Sequence, residues 1–335
     1  MDTMEAISAS SQTLISDLPR GCLVHILQFL QLSERLHDCA LVSKAWAEAA
    51  AAATFSINRS QVDVHCCGAV MCWASTCAQQ LSSLQLTGAP AADPSDAAVL
   101  QLRPLPALQQ LHLLKVSLQL AAPVNPLLAL STLTELQLRS CAVLPDMRAL
   151  SALSVLAHLQ RLVLSIPVPA LQQSSNPAPQ WSLPSSTTWS HLTSLTQLDL
   201  ASQHNVTGPW LQELSVMTQL QELLLYAGHL TTARLEHLQQ LPCLHTLDLQ
   251  LAPQIAFSSS STPVLLELSQ LHRLSLFCWQ ELQPALLSSL SQLQHLQLRA
   301  WARRSSPAEL TALLGALAQL TNLTTLSLQV SIPGA

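Results

Sequence analysis

The sequence predicts an α/β solenoid, a stack of strand-and-return units sharing one parallel sheet, with a small all-α module in front of it. Three observations carry this. The motif Leu-x-x-Leu-x-Leu occurs ten times from Leu81 onward. Nine of the ten are preceded, three positions earlier, by another apolar residue. In the first fifty residues the motif does not recur at this period, and apolar residues fall at helical spacing instead.

Composition agrees. The chain has 335 residues, 49% hydrophobic and only 10% charged, so it can bury a large core. Its seven glycines form no GxGxxG, GxSxG or Gly-Lys pair, which removes nucleotide-loop and nucleophile-elbow chemistry. Net charge is −5 with 14 Lys+Arg, and no basic stripe exists to neutralise phosphates, so nucleic acid is not an expected partner. Met1 to Ser16 lacks a basic n-region and no run of 18 apolar residues occurs, so neither a secretory signal nor a membrane span is expected. Nine Cys at irregular spacing fit reduced thiols, hence a cytoplasmic or nuclear location, better than a disulfide framework.

Residues 1–14 read as a tail. Across 15–50, Asp17 is placed to cap a helix carrying Leu23, Ile26, Leu27 and Leu30. A second helix begins after Ser33 and runs through Leu36, Ala40, Leu41 and Trp46. Two or three short helices bury too little to stand alone. Residues 51–80 read as a linker and N-terminal cap: Thr54–Ile57 is a strand candidate, with Phe55 and Ile57 placed 29 residues before Leu84 and Leu86. A helix is expected after it, with Val62, His65, Cys66, Ala69, Cys72 and Trp73 on one face. His65, Cys66, Cys67, Cys72 and Cys77 lack the paired Cys-x2–4-Cys spacing of a zinc site and read as packing residues. No metal, cofactor or catalytic residue is assigned.

The ten motifs begin at Leu81, Leu108, Leu133, Leu159, Leu195, Leu220, Leu244, Leu271, Leu293 and Leu323. In each Leu-x-Leu the two leucines share one face of a strand and the residue between them takes the other. Returns at Thr231–Gln240, Gly208–Leu214 and Ser306–Leu317 carry helical spacing; Ser306-Pro307-Ala308-Glu309 is a capping box with Pro at the first helical position. The one long step, 36 residues, contains a Pro/Ser-rich insertion at 165–190.

Strand plus helix at this period resembles the leucine-rich repeat family over 81–335. That resemblance implies a horseshoe with a parallel concave sheet and convex helices. The inward Asn or Cys that follows the family's strand is kept only as Cys141. Residues 15–50 resemble the F-box: Leu18-Pro19, Leu23, Ile26, Phe29-Leu30, Leu36, Leu41-Val42-Ser43 and Trp46 stand at its spacing, whereas Gly21 departs from it.

The pairing implies a non-enzymatic substrate receptor of an SCF-type ubiquitin ligase. Its F-box would bind a Skp-type adaptor, and through it a cullin, by Leu18, Pro19, Leu23, Ile26, Leu30, Leu41, Val42 and Trp46. Its repeats would hold a protein substrate. Tyr226, Arg273, Phe277, His295 and Arg299 flank the core leucines on the concave side and are the candidate substrate contacts, since aromatics and Arg anchor interfaces. Asp199 and Asp248 share a strand position two repeats apart, as either a solvated acidic face or a contact for a basic substrate. Alternatives are a cytoskeletal or axonemal scaffold in which 15–50 is only a cap, and a small-molecule-sensing F-box receptor.

Overall fold

The computed structural model describes residues 18–331 except 32–33, 63–69, 73, 89–98, 101, 120–126, 128–129, 142, 145–152, 166–188, 201–211, 213, 228–236, 252–267, 278–289 and 302–306. Eleven strands form one sheet: β1 (Ser56–Val62), β2 (Ser83–Gly88), β4 (Gln110–Leu114), β6 (Glu135–Arg139), β8 (Arg161–Ser165), β9 (Gln197–Leu200), β10 (Glu222–Ala227), β11 (Thr246–Leu251), β12 (Arg273–Phe277), β13 (His295–Trp301) and β14 (Thr325–Ser331). All neighbouring pairs are parallel and follow chain order, which is the topology of a solenoid. The last ten of these strands are the ten Leu-x-x-Leu-x-Leu motifs.

Register explains the motif. Leu111, Leu136, Leu162 and Leu198 stand opposite one another, as do Leu113, Leu138 and Leu164. These columns are at most 1% exposed, so each strand buries its leucines only against its neighbours. Each such Leu contributes about 1.5–3 kcal/mol relative to an exposed one. In β14 the layer ends: Leu326 and Leu328 are 44% and 40% exposed.

The apolar residue three positions upstream is explained by tight turns. Leu108, Leu133, Leu159, Leu195, Leu220 and Leu244 each donate their N–H to the carbonyl three residues back, at 3.0–3.2 Å except for 2.9 Å at Leu220. Residues three apart eclipse in such a turn, so both side chains enter the core. The first repeat, with only Ala78 at that position, closes differently: Leu81 N–H bonds Cys77 O four residues back at 2.8 Å, and Cys77 is fully buried.

The strand entrances are tied by a backbone ladder that needs no Asn. Two consecutive N–H groups of each repeat donate to one carbonyl of the repeat before. Gln109 and Gln110 bond Ser82 O, Thr134 and Glu135 bond Gln109 O, and the pattern continues to Thr324 and Thr325 on Gln294 O, all within 2.8–3.1 Å. Thr134, Thr196 and Thr324 add an Oγ1 donor to the same carbonyls. At the strand exits, Lys115 and Ser140 have φ of 55° and 52°, and their N–H groups bond Arg139 O and Ser165 O. Beyond them Cys141 is fully buried, its thiol 3.3 Å from Leu113 O and 3.4 Å from Arg139 O. Burial pushes that thiol up to about 11, so it stays protonated as a donor.

After these left-handed residues the chain enters β5 (Ser117–Gln119) and β7 (Val143–Leu144), which with β3 (Val99–Leu100) form a second parallel sheet that the sequence did not announce. Gly88 sits at the first such exit. A Cβ there would overlap the Lys115 carbonyl oxygen and stand 2.9 Å from its carbon. Gly88→Ala is therefore expected to cost about 1–3 kcal/mol through backbone displacement, read as a lower urea midpoint. An unchanged midpoint would show that the exit turn can move freely.

Several expectations are corrected. Among the described return segments only α4 (Pro307–Leu317) is a full helix. Residues 153–155 and 237–240 are 3-10 turns, because leucines three apart fit that geometry. The capping strand is offset by 27 residues rather than 29: Ile57 stands opposite Leu84 and is fully buried, whereas Phe55 is 46% exposed. Phe55 O instead takes the entrance bonds from Ser82 and Ser83, so it belongs to the turn. Val62 ends this strand rather than opening a helix. In the helical residues 70–72 and 74–76 the buried side chains are Val70, Met71 and Ala74, with Cys77 just beyond, while Cys72 is exposed. His65, Cys66, Cys67 and Ala69 lie outside the described residues, as do the side chain of Trp73 and most of the 165–190 insertion.

Candidate functional site

Two surfaces present chemistry that the fold does not consume. The first belongs to the N-terminal helices α1 (Arg20–Leu27), α2 (Cys39–Val42) and α3 (Lys44–Ala52). Pro19, not Asp17, occupies the N-cap of α1, and Asp17 is outside the described residues. The single second helix expected from sequence is divided. A π-helical turn at Glu34–Asp38 precedes α2, then Ser43 turns fully extended and caps α3 by accepting the Trp46 N–H at 3.3 Å. A serine hydroxyl in that position competes with helix continuation.

The module has its own small core of Leu23, Leu27, Cys39, Ala49, Ala50 and Ala53, against which Val24, Leu30 and Trp46 pack. Three of the six are alanines, so little apolar area is available. Arg35 reinforces it, donating to Ala53 O (3.0 Å), Gln28 O (3.0 Å) and Leu30 O (2.8 Å) at the ends of two helices. Ala51 packs instead on the solenoid core, which joins the two bodies. What remains outside is large and apolar: Ile26 is 44% exposed, Phe29 80%, Leu41 76% and Val42 60%.

The eight residues named from sequence thus divide. Ile26, Leu41 and Val42 are exposed, Leu18, Leu30 and Trp46 are half-buried, and Pro19 is exposed at the helix start. Leu23, at 5% exposure, is an internal core residue. Phe29, whose ring meets His25 edge-on at 5.4 Å, was read only as part of the motif and is the most exposed large apolar group among the described residues of the module.

The second surface is the open face of the sheet. Its central column runs His112, Gln137, Val163, Asp199, Leu224, Asp248, Ser275, Gln297 and Ser327. On β4 to β9 its charges answer one another. Glu135 Oε1 accepts from Gln137 Nε2 (2.6 Å) and Arg161 Nη1 (3.2 Å), and His112 Nε2 stands 3.2 Å away, not aligned for a hydrogen bond. Arg161 also reaches Gln197, and Arg139 bonds Gln137 Oε1 (3.2 Å) and lies 4.0 Å from Asp199. Burial pushes the Glu135 carboxyl up, but the Gln137 amide, His112 and Arg161 outweigh it and hold the group below its ordinary value.

A depressed carboxyl stabilises the fold above its unfolded value and loses that contribution as pH falls through the folded one. Glu135→Gln is therefore expected to be less stable than the parent at neutral pH, by about 1 kcal/mol or less for so accessible a cluster, and equal to it in acid. Urea titrations at the two pH values check this; a gap that persists in acid would remove the electrostatic explanation.

On β10 to β14 the face opens into a cleft of about 440 Å³. Arg273 and His295, two of the five residues named from sequence, line it together with Glu222 and Asp248. Arg299 lies opposite Phe277 in register and, with the Gln297 amide turned to its donors, is held by Gln297 Oε1 at 2.9 and 3.0 Å. Tyr226 and Phe277 flank Gln250 in that same column; their side chains are not among the described parts. Asp248 lies in the cleft wall with Ser275 bonded to it, and its Oδ1 is screened from water with no donor among the described residues. Among the described residues no group of three His, Cys, Asp or Glu is placed to hold a metal ion, and no helix is long and apolar enough to cross a membrane.

Comparison with known proteins agrees with the N-terminal module. The F-box-like family model matches residues 15–55, so an F-box-like domain occupies that segment. No curated protein matches the chain. Among solved structures, an internalin (inlF) from Listeria monocytogenes is similar at a TM-score of 0.46 and 17% identity, over 90% of this chain and 89% of its own. TLR13 in its complex with ssRNA13 is similar at 0.46 and 18%, over 84% of this chain and 41% of that one. A second Listeria internalin, inlC2, gives 0.32 and 18%, over 62% and 75%.

Proposed function

We propose that this chain is the substrate-recognition subunit of an SCF-type ubiquitin ligase. Its F-box-like domain docks on a Skp-type adaptor and, through it, a cullin; the open face of the repeats binds the substrate protein. The observation that carries the reading is the unsatisfied surface of the N-terminal helices. A module with so small a core still leaves Ile26, Phe29, Leu41 and Val42 in water, on the segment matched as F-box-like. Large exposed apolar groups of this kind mark an interaction site. The chain performs no chemistry in this reading; it raises the effective concentration of the substrate near the ubiquitin-carrying enzyme. The place of action is cytoplasm or nucleus.

The test is co-expression of the full chain with a Skp-type adaptor. The two are expected to co-elute as one complex in size-exclusion chromatography. Separate elution at micromolar concentration would return residues 15–55 to the role of a cap on the solenoid and favour a scaffold.

A further inference from the structure

The open face is unequal along its length. From β4 to β9 its charges are matched by one another, with Glu135 collecting Gln137, Arg161 and His112. Within the cleft on β10 to β14 the charges are separated instead. Glu222 and Asp248 stand on its β10–β11 side, and Arg273 and His295 on its β12–β13 side. Thr246 lies between Glu222 and Arg273 in register, and Asp248 faces Leu224 and Ser275.

Asp248 is the least satisfied group of this wall. It has the Ser275 hydroxyl, while Oδ1 is screened from water and receives no donor among the described residues. A carboxylate oxygen in that condition costs free energy that an entering donor recovers. The residue is partly exposed, and the broad χ2 torsion of aspartate can present either oxygen to the cleft. Burial pushes the carboxyl up, Ser275 and then Arg299 pull it down, and Asp199 pushes it up again, so a cation arriving here favours the charged form.

We propose that the cleft takes an extended protein segment whose basic side chain, Lys or Arg, docks on Asp248 beside Glu222, with an acidic side chain two residues away, on the same face of the segment, directed toward Arg273 and His295. The spacing follows from the sheet. Arg273 is on the strand next to that of Asp248 and His295 on the one beyond, roughly 5 and 10 Å across the sheet, and residues two apart in an extended peptide lie about 7 Å apart on one face. This rests on the reading of the open face as the protein-binding surface.

The experiment uses the full chain against an immobilised positional-scanning library of decapeptides. The expected result is enrichment of Lys or Arg at one position by about tenfold or more, with Asp or Glu enriched two residues away. Asp248→Asn, isosteric and therefore folded, should abolish the basic preference; Arg273→Gln should weaken the acidic one. Leu224→Glu, which blocks the cleft wall, should abolish retention. Retention that needs Leu224 but shows no charge preference, or a basic preference that survives Asp248→Asn, overturns the proposal and leaves the protein-binding reading standing. Retention indifferent to Leu224→Glu overturns both. Retention of no peptide at all overturns the proposal.

Discussion

Replacing Leu41 and Val42 together with aspartate is expected to abolish capture by a Skp-type adaptor, a loss of at least about 100-fold, without lowering the melting temperature of the chain. The separation of the two readouts follows from exposure. Leu41 is 76% and Val42 60% exposed, so neither supports the core of Leu23, Leu27, Cys39 and the three alanines. Surface substitutions of this kind change stability by about 0.5 kcal/mol or less. At an interface the same two side chains are worth about 1.5–3 kcal/mol each, and a buried unpaired carboxylate adds a further penalty. Leu23→Ala is the contrasting control. Leu23 is 5% exposed, so its truncation should reduce capture only as far as it unfolds the module, by about 2–5 kcal/mol. Capture by the Leu41, Val42 double variant equal to that of the parent chain would move the adaptor off α2 or remove it altogether.

Trp189→Ala is expected to be among the most damaging single changes in the solenoid, about 3–5 kcal/mol, read as a shift in the urea midpoint of the full chain. Trp189 is fully buried and heads the largest side chains of the core. It stands shortly before β9, and its carbonyl accepts the Leu192 N–H at 3.0 Å. It therefore anchors the repeat that resumes the ladder beside β8. Trp189→Phe keeps most of the volume and should lose much less. A midpoint that is the same for Trp189→Ala and the parent would mean that the core closes over the gap or that Trp189 is not its anchor.

Most of the solenoid was legible in the sequence, because a strand's period of two and a tight turn's period of three both leave leucines at fixed spacings. Ten motifs became ten strands in chain order, and the apolar residue upstream became the residue of a tight turn. Trp189 was legible by the same rule, three before Leu192, but it lay hidden at the edge of a Pro/Ser-rich insertion. The exposed positions on α1 and α2 were also readable, since apolar residues in excess of what a small core can hold must face outward. Which of them face outward was not. Leu23 and Ile26 are equally apolar and three residues apart, yet only packing against Cys39 and Ala49 decides that Leu23 is inside.

What the sequence by itself determined is therefore the periodic part: the repeated buried face, the parallel order, the break in pattern before it, and the polar identity of the open face. What only the tertiary structure decided is everything set by contacts between repeats. The capping strand pairs at Ile57 rather than Phe55, because a shift of two residues keeps the same face inward and sequence period alone cannot choose between the registers. Residues 153–155 and 237–240 are 3-10 turns rather than helical, and two left-handed residues lead into a second small sheet, because the path back depends on how closely the next repeat approaches. The division of the open face into a matched half and a cleft with an under-bonded Asp248 arises the same way. Asp199 and Asp248 hold the same position in their repeats, and their neighbours across the strands, not their own sequence context, set what each one meets.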